Sequence, residues 1–258
     1  HFGIKANYTY THSRQEGGAY DGYALAHGGF SGAYALKIAK AGGPAQALAG
    51  MLAEVFPEEV LVPESYAVAN AIGAAHEHGV RDRATVSYDP NVRPSIMESP
   101  AKVINRIEEL IALSDVVKAS DEDIAWLYGE ETPVEEVMRR WSSMGPGLVV
   151  VTRGPWGAYA KLVNERDMLV IDPLNVEVGD TVGAGDSFMG GLLSGLLDAG
   201  LIGSAEAKAK LREARWNDVT PALHRATITS GLTVSHNGAY APSREEVEEV
   251  LKAQPQLR

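Results

Sequence analysis

Nine consecutive residues carry the strongest chemical signal in this sequence: Val178-Gly-Asp180-Thr181-Val182-Gly183-Ala184-Gly185-Asp186. Small residues in succession ahead of an apolar stretch leave backbone N–H groups pointing outward at a helix N-terminus, where the helix dipole favours an anion. Gly183, Ala184 and Gly185 therefore form a candidate anion hole. Asp186 stands at its edge, where a carboxylate can take the proton of a hydroxyl attacking a bound phosphoryl group. Taken alone, the same residues also read as a glycine-rich turn whose aspartate caps the following helix.

Three further segments have chemistry-bearing spacing. Asp89-Pro-Asn91-Val-Arg93-Pro94 is a turn in which proline fixes φ and the Asx side chains reach nearby backbone, and Arg93 can read a substrate oxygen or carboxylate as a bidentate donor. Val151-Thr152-Arg153-Gly154-Pro-Trp-Gly157, taken alone, reads as a strand-to-hairpin turn. Ser120-Asp-Glu-Asp123 has the spacing of a helix capping box. His76-Glu77-His78 suggests metal chemistry, but residues two apart on a helix point to different sides, and a solvated helix end explains them better.

Asp180-Thr-Val-Gly-Ala-Gly-Asp186, preceded in order by the Asp89 to Pro94 and Val151 to Gly157 segments, resembles the ribokinase and fructokinase family of carbohydrate kinases over about residues 84–251. The resemblance implies that Asp186 is the catalytic base and that the amides of Gly183, Ala184 and Gly185 hold the transferring phosphoryl charge. It implies a nucleotide-side loop at Thr152, Gly154 and Gly157. Asn91 would face phosphate and metal-bound water, with Asp89 and Arg93 beside the acceptor. Where the family has Asn-x-x-Glu, this chain has Ser120 and Asp123, which places Ser120 by the nucleotide and gives Asp123 the metal-side charge with a shorter reach. Leu223, Ala226 and Ser230 correspond to the adenine-side wall, and core packing explains them equally well.

One departure lies near the start. Gly28-Gly29 to Gly42 resembles the family's sugar-gripping element in spacing, with Ala33 where the sugar-binding Asn would stand. Ala33 cannot hydrogen-bond a hydroxyl through its side chain. Only 88 residues precede Asp89, a short span for a first strand, a gripping helix and lid strands together. The expectation is a reduced or incomplete lid, with residues 1–75 an atypical acceptor-side portion.

The elements that must position these groups follow from apolar spacing. Ala84 to Tyr88 reads as a strand, and Val103, Ile104, Ile107, Leu110 and Ile111 share one face of a helix. Asp115 to Lys118 is a short strand, and the Ser120 box opens a helix through Ile124, Trp126 and Leu127. Thr132-Pro133 starts another helix, with Pro at its first position, that runs to about Trp141. Leu148 to Thr152 lacks alternation, as expected of a strand covered on both faces. Ala158 to Val163 and Met168 to Ile171 are further strands, and the segment after Gly185 is a buried helix ending near Gly200. Helices are expected from Ala205 to Trp216, after Thr220-Pro221 and after Ser243, and also over Leu61 to Ala75. Strand alternating with helix is an α/β order. The fold class expected is a ribokinase-like three-layer α/β sandwich with a mainly parallel central sheet, one domain over residues 1–258.

Composition narrows the partners. With 23 Lys and Arg against 34 Asp and Glu, the net charge is −11, and no basic cluster offers a nucleic acid its phosphate contacts. The chain has no cysteine, which excludes disulfides, thiolate metal sites and cysteine nucleophiles. Phe188 to Leu197 is the longest strongly apolar stretch and is short of a bilayer span. The first residues lack a secretory pattern and a Met, compatible with a processed or incomplete start. The resemblance then implies a cytoplasmic ATP-dependent kinase using Mg2+ and a monovalent cation such as K+. It would act on a small-molecule sugar without nucleic acid or membrane, and a homodimer is compatible with the pattern. A ketose such as fructose, phosphorylated at a primary hydroxyl, is the favoured acceptor. The alternatives are a 2-keto-3-deoxy sugar acid and a non-catalytic nucleotide-binding relative.

Overall fold

The computed structural model describes residues 5–6 and 85–257, except 95, 96, 98 and 239. The expected helix over Leu61 to Ala75, the Gly28 to Gly42 element with Ala33, and His76 to His78 lie outside the described residues.

Among the described residues six strands line up in chain order: β1 (Lys5–Ala6), β2 (Ser87–Tyr88), β3 (Val116–Ser120), β4 (Leu148–Thr152), β5 (Ala158–Leu162) and β6 (Leu169–Ile171). The first three pairings are parallel and the last two antiparallel. The unbroken apolar run of β4 has the physical cause expected of it. Leu148 and Val150 face one core, with Met189, Leu192, Leu196 and Leu223, while Val149 and Val151 face another, with Ile107, Ile111, Met138 and Trp141. Helices therefore cover both faces of a mixed, mostly parallel sheet, which is a three-layer α/β arrangement.

On the second face lie α1 (Pro100–Ala112), α2 (Asp121–Tyr128) and α3 (Val134–Met144). On the first lie α4 (Ala184–Asp198), α5 (Ala205–Glu213) and α6 (Trp216–Val234), with α7 (Arg244–Ala253) packed on α6 through Val247, Leu251 and Ile228. α4 and α6 cross without room for side chains. A Cβ at Gly195 would sit 2.5 Å from Ala222 Cα, so glycine is required there. Burying Leu192 and Leu196 behind that crossing stabilises by roughly 1.5–3 kcal/mol per side chain. α4 stops at Gly200 as expected: its φ of +67° lets Leu201 N–H reach Leu196 O and Gly200 N–H reach Leu197 O, satisfying carbonyls the helix end leaves over.

Several boundaries differ from the sequence reading. Pro133 is the cap of α3, not its first residue, and the helix runs on to Met144. β3 begins at Val116 because Asp115 turns its N–H to Val86 O and its carboxylate to Val86 N–H and Lys208. Trp216 opens α6 and does not close α5, since Arg215 is extended and its N–H is held by Asp218 Oδ2 at 2.8 Å. That bond starts α6 five residues ahead of Pro221, whose ring sits inside the helix, with Thr220 Oγ1 donating to Trp216 O.

Candidate active site

β2, β3 and β4 run parallel, so the loops after Tyr88, Ser120 and Thr152 emerge at one sheet edge, the usual place for a ligand in such sheets. The N-terminus of α4 meets that edge in a cavity of about 490 Å3. From the strand ends come Asp89, Asn91, Arg93, Ser120, Asp123 and Thr152; from the α4 turn come Gly183, Ala184, Gly185 and Asp186. Ten predicted residues thus share one wall. Gly154 and Gly157 are not on it. They shape the short 3-10 turn beyond β4 with φ values of +50° and +79°, and a Cβ at Gly157 would collide with the carbonyl of Ile171. Arg153 in that turn lies over the Tyr159 ring at 4.4 Å, and Trp156 at its tip is 72% exposed.

The α4 turn is built by its own backbone and by Asp180. Gly183 caps the helix in the left-handed region, φ +80°, which glycine adopts without strain. The Ala184 amide donates to Thr181 O at 3.2 Å, so its proton closes the turn instead of facing the cavity. Gly183 and Gly185 belong to the first turn, where amides have no intrahelical acceptor. Asp180 accepts the Val182 amide through Oδ1 at 3.1 Å and the Gly238 amide through Oδ2 at 3.0 Å. These backbone bonds hold its carboxyl below the usual carboxylate range.

Asp123 is both a capping and a bracing residue. It completes the box with Ser120, its Oδ2 accepting the Ser120 amide at 2.8 Å, and its Oδ1 accepts the Val92 amide at 2.8 Å. Both oxygens are thus engaged by backbone. Val92 in turn fixes the Arg93 segment, where Arg93 Nη1 donates to Val92 O at 3.1 Å. Thr152 Oγ1 donates to Ala119 O at 3.3 Å, tying the ends of β4 and β3 together. Among the described residues no group of three or more acidic or histidine side chains is placed to hold a metal ion alone. A Mg2+ carried by nucleotide phosphates needs only one or two carboxylates and retains waters, and the cavity offers Asp123 and Asp186 for that purpose.

Lys118 was missed by the sequence reading. It is buried on β3, and its Nζ donates to the buried Asp89 Oδ2 at 2.8 Å. Burial pushes the Asp89 carboxyl up, Lys118 pulls it down, and the Asp123 and Asp186 carboxylates add to the rise. Asp89 Oδ1 also accepts the Asn91 amide at 3.1 Å, fixing Asn91 at φ +43°. A signal was present: a lysine in a strand covered on both faces must have a partner. Leu223 and Ala226, by contrast, are fully buried among the core residues between α4 and α6. Their place is packing.

A second cavity of about 480 Å3 runs along α4 past Gly190 and Ser194 to Arg225 and Tyr240. Val182, Gly183 and Asp186 line both cavities, so Asp186 stands at their junction.

Comparison with known proteins places the chain among carbohydrate kinases. A fructokinase of Klebsiella pneumoniae is 34% identical over 180 residues, 69% of this chain and 54% of that protein. A 2-dehydro-3-deoxygluconokinase of Bacillus subtilis (strain 168) is 37% identical over 115 residues, 44% of this chain and 35% of that protein. Among solved structures, a double mutant of the fructokinase from Vibrio cholerae O395, bound to fructose, ADP and potassium ion, superposes with a TM-score of 0.57 at 26% identity. That match covers 77% of this chain and 57% of the other. The chain spans about half the length of the curated relatives it matches. The sequence pattern of the pfkB family carbohydrate kinase matches residues 46–246, and the chain belongs to that family.

Proposed function

We propose that this chain carries the phosphoryl-transfer site of an ATP-dependent sugar kinase, acting on a primary hydroxyl of a ketose such as fructose. The observation that carries the reading is the position of Asp186, on the first turn of α4 beside the Gly183 to Gly185 amides and at the junction of two cavities. A two-substrate transfer needs two spaces meeting at one proton acceptor. The acceptor hydroxyl gives its proton to the Asp186 carboxylate as its oxygen bonds to the γ-phosphorus. The charge on the transferring group is met by the first-turn amides of Gly183 and Gly185 and by the α4 dipole, which are fixed in place and need no reorganisation. Thr152 and Ser120 line the phosphate side, Asn91 lines the same cavity with its backbone amide bonded to Asp89, and Arg93 borders the acceptor. Mg2+, when bound, neutralises the phosphate oxygens, with Asp123 the residue nearest to that task; a monovalent cation such as K+ belongs to the same reading, as does a cytoplasmic setting.

The relatives named above favour fructose, and Arg93 on the cavity wall favours an acceptor with a carboxylate as the second reading. ADP release over a panel of ketoses, aldoses and 2-keto-3-deoxy sugar acids, with ATP and Mg2+ and protein of verified mass, separates the two. Fructose-dependent turnover is expected. No sugar-dependent ADP release from folded protein would leave the non-catalytic nucleotide-binding reading.

A further inference from the structure

We propose that Lys118 is a catalytic residue of this transfer: its buried ammonium stands behind the α4 anion hole and supplies fixed positive charge to the phosphoryl group. The proposal rests on the kinase reading above. Its basis is the meeting of three observations. Lys118 lines the same cavity as Asp186 and Gly185 and is only 5% exposed. A Cβ built on Gly185 would lie 2.9 Å from Lys118 Nζ, so the ammonium is packed directly against the first turn of α4. Asp89 holds it there at 2.8 Å, from a position that is itself buried.

This placement is costly unless it is used. Removing an ammonium from water is unfavourable, and an apolar pair of similar volume often replaces a buried ion pair without loss of stability. A cation next to a helix N-terminus also faces the positive end of the dipole. The carboxylates of Asp89 and Asp186 offset that repulsion, and an incoming phosphoryl group brings further negative charge to the same spot. Gly185 acquires a second reason for its identity: any side chain there would displace the ammonium, not only crowd the phosphate.

In the transfer, the acceptor oxygen bonds to the γ-phosphorus and the bond from that phosphorus to the bridging oxygen breaks. The acceptor proton goes to Asp186. Lys118 keeps its proton throughout and acts by charge alone, like the other donors of the hole.

The test needs no sugar. ADP with fluoroaluminate and Mg2+ mimics the transferring group, and its affinity is compared with that of ADP for the parent, K118M and K118Q by calorimetry. The parent should prefer the mimic; K118M and K118Q should lose most of that preference while binding ADP nearly as well. Turnover on the best sugar should fall on the order of 10²–10³-fold in K118M with little change in KM for ATP. A K118M protein with the parent's preference for the mimic would overturn the proposal. So would a folded K118Q protein with that preference, so either lysine variant decides the matter if the other does not fold. A parent that prefers the mimic but phosphorylates no sugar counts against the kinase reading alone, and a parent that binds no nucleotide removes both.

Discussion

Asp180 Oδ2 accepts the amide N–H of Gly238 at 3.0 Å, joining the anion-hole turn to a loop 58 residues downstream at the end of α6. Its Oδ1 meanwhile accepts the Val182 amide, so one exposed carboxylate sets both the entry to α4 and its distance from the α6 loop. Ionised Asp180 is favoured in the folded protein, and its carboxyl titrates below the ordinary value of 3.8. The sign follows: the two bonds contribute fully above the unfolded value and are lost as pH falls through the lower folded one. Asp180→Asn should therefore lower stability near neutrality while flattening the loss of stability below about pH 4. Acid unfolding of parent and variant, followed by circular dichroism, checks this; parallel curves would show that Asp180 does not titrate as argued.

The proposed base, Asp186, would have a role that nucleotide binding does not share. Asp186→Asn keeps the size and removes the proton acceptor, so kcat should fall by on the order of 10²–10⁴ with nucleotide affinity nearly unchanged. Turnover within a factor of two of the parent would remove Asp186 as the base.

The α4 and α6 crossing gives a stability prediction independent of catalysis. Gly195→Ala gains about 1 kcal/mol of helix propensity but drives a methyl into Ala222, whose Cα would lie 2.5 Å away and is backbone that cannot rotate aside. Overpacking of this kind costs about 1–3 kcal/mol, so the variant should unfold several degrees lower. An unchanged Tm would mean that the two helices separate without cost.

How far the sequence revealed this follows from which interactions are local. Ser120 with Asp123 and Ser243 with Glu246 are three apart, and both boxes form as read. Leu148 to Thr152 betrays its two covered faces because no polar residue interrupts it. The clustering of the Asp89, Thr152 and Gly183 segments was legible through their motifs, and parallel strands bring their ends together. Pairings across the fold were not legible. Asp89 with Lys118 and Asp180 with Gly238 are set by strand register and helix crossing, and the α5 to α6 boundary turns on one Asp218 bond competing with a Thr-Pro start signal. Ala184 shows the same limit at atomic scale: glycine-rich spacing marks an anion hole without saying which amide closes the turn.

Asp123 separates bracing from metal binding. Its two oxygens hold the Ser120 and Val92 amides, and an asparagine must turn a donor towards one of them. Losing one of these two bonds and facing that amide with a donor should cost about 1–3 kcal/mol. Asp123→Asn should lower Tm by that measure with no Mg2+ present. A variant of unchanged Tm whose only defect is a raised Mg2+ requirement would leave Asp123 its metal-side role alone and remove the brace.

Arg93 decides between the two acceptor classes. The segment that carries it is held by Asp123 through the Val92 amide, and its Nη1 is positioned by Val92 O, so the guanidinium is presented to the cavity from a fixed backbone. Such a donor fork binds a carboxylate through two charge-assisted bonds and a neutral hydroxyl through weaker ones. Arg93→Ala should raise KM for the acceptor that Arg93 reads more than KM for ATP. The size of the effect discriminates: a loss on the order of tenfold or more in kcat/KM confined to 2-keto-3-deoxy sugar acids, with fructose nearly unaffected, identifies a carboxylate clamp. A smaller loss that falls on fructose identifies a hydroxyl contact. Equal rises in KM for ATP and sugar would place Arg93 in the framework of the β2 loop, with no part in reading the acceptor.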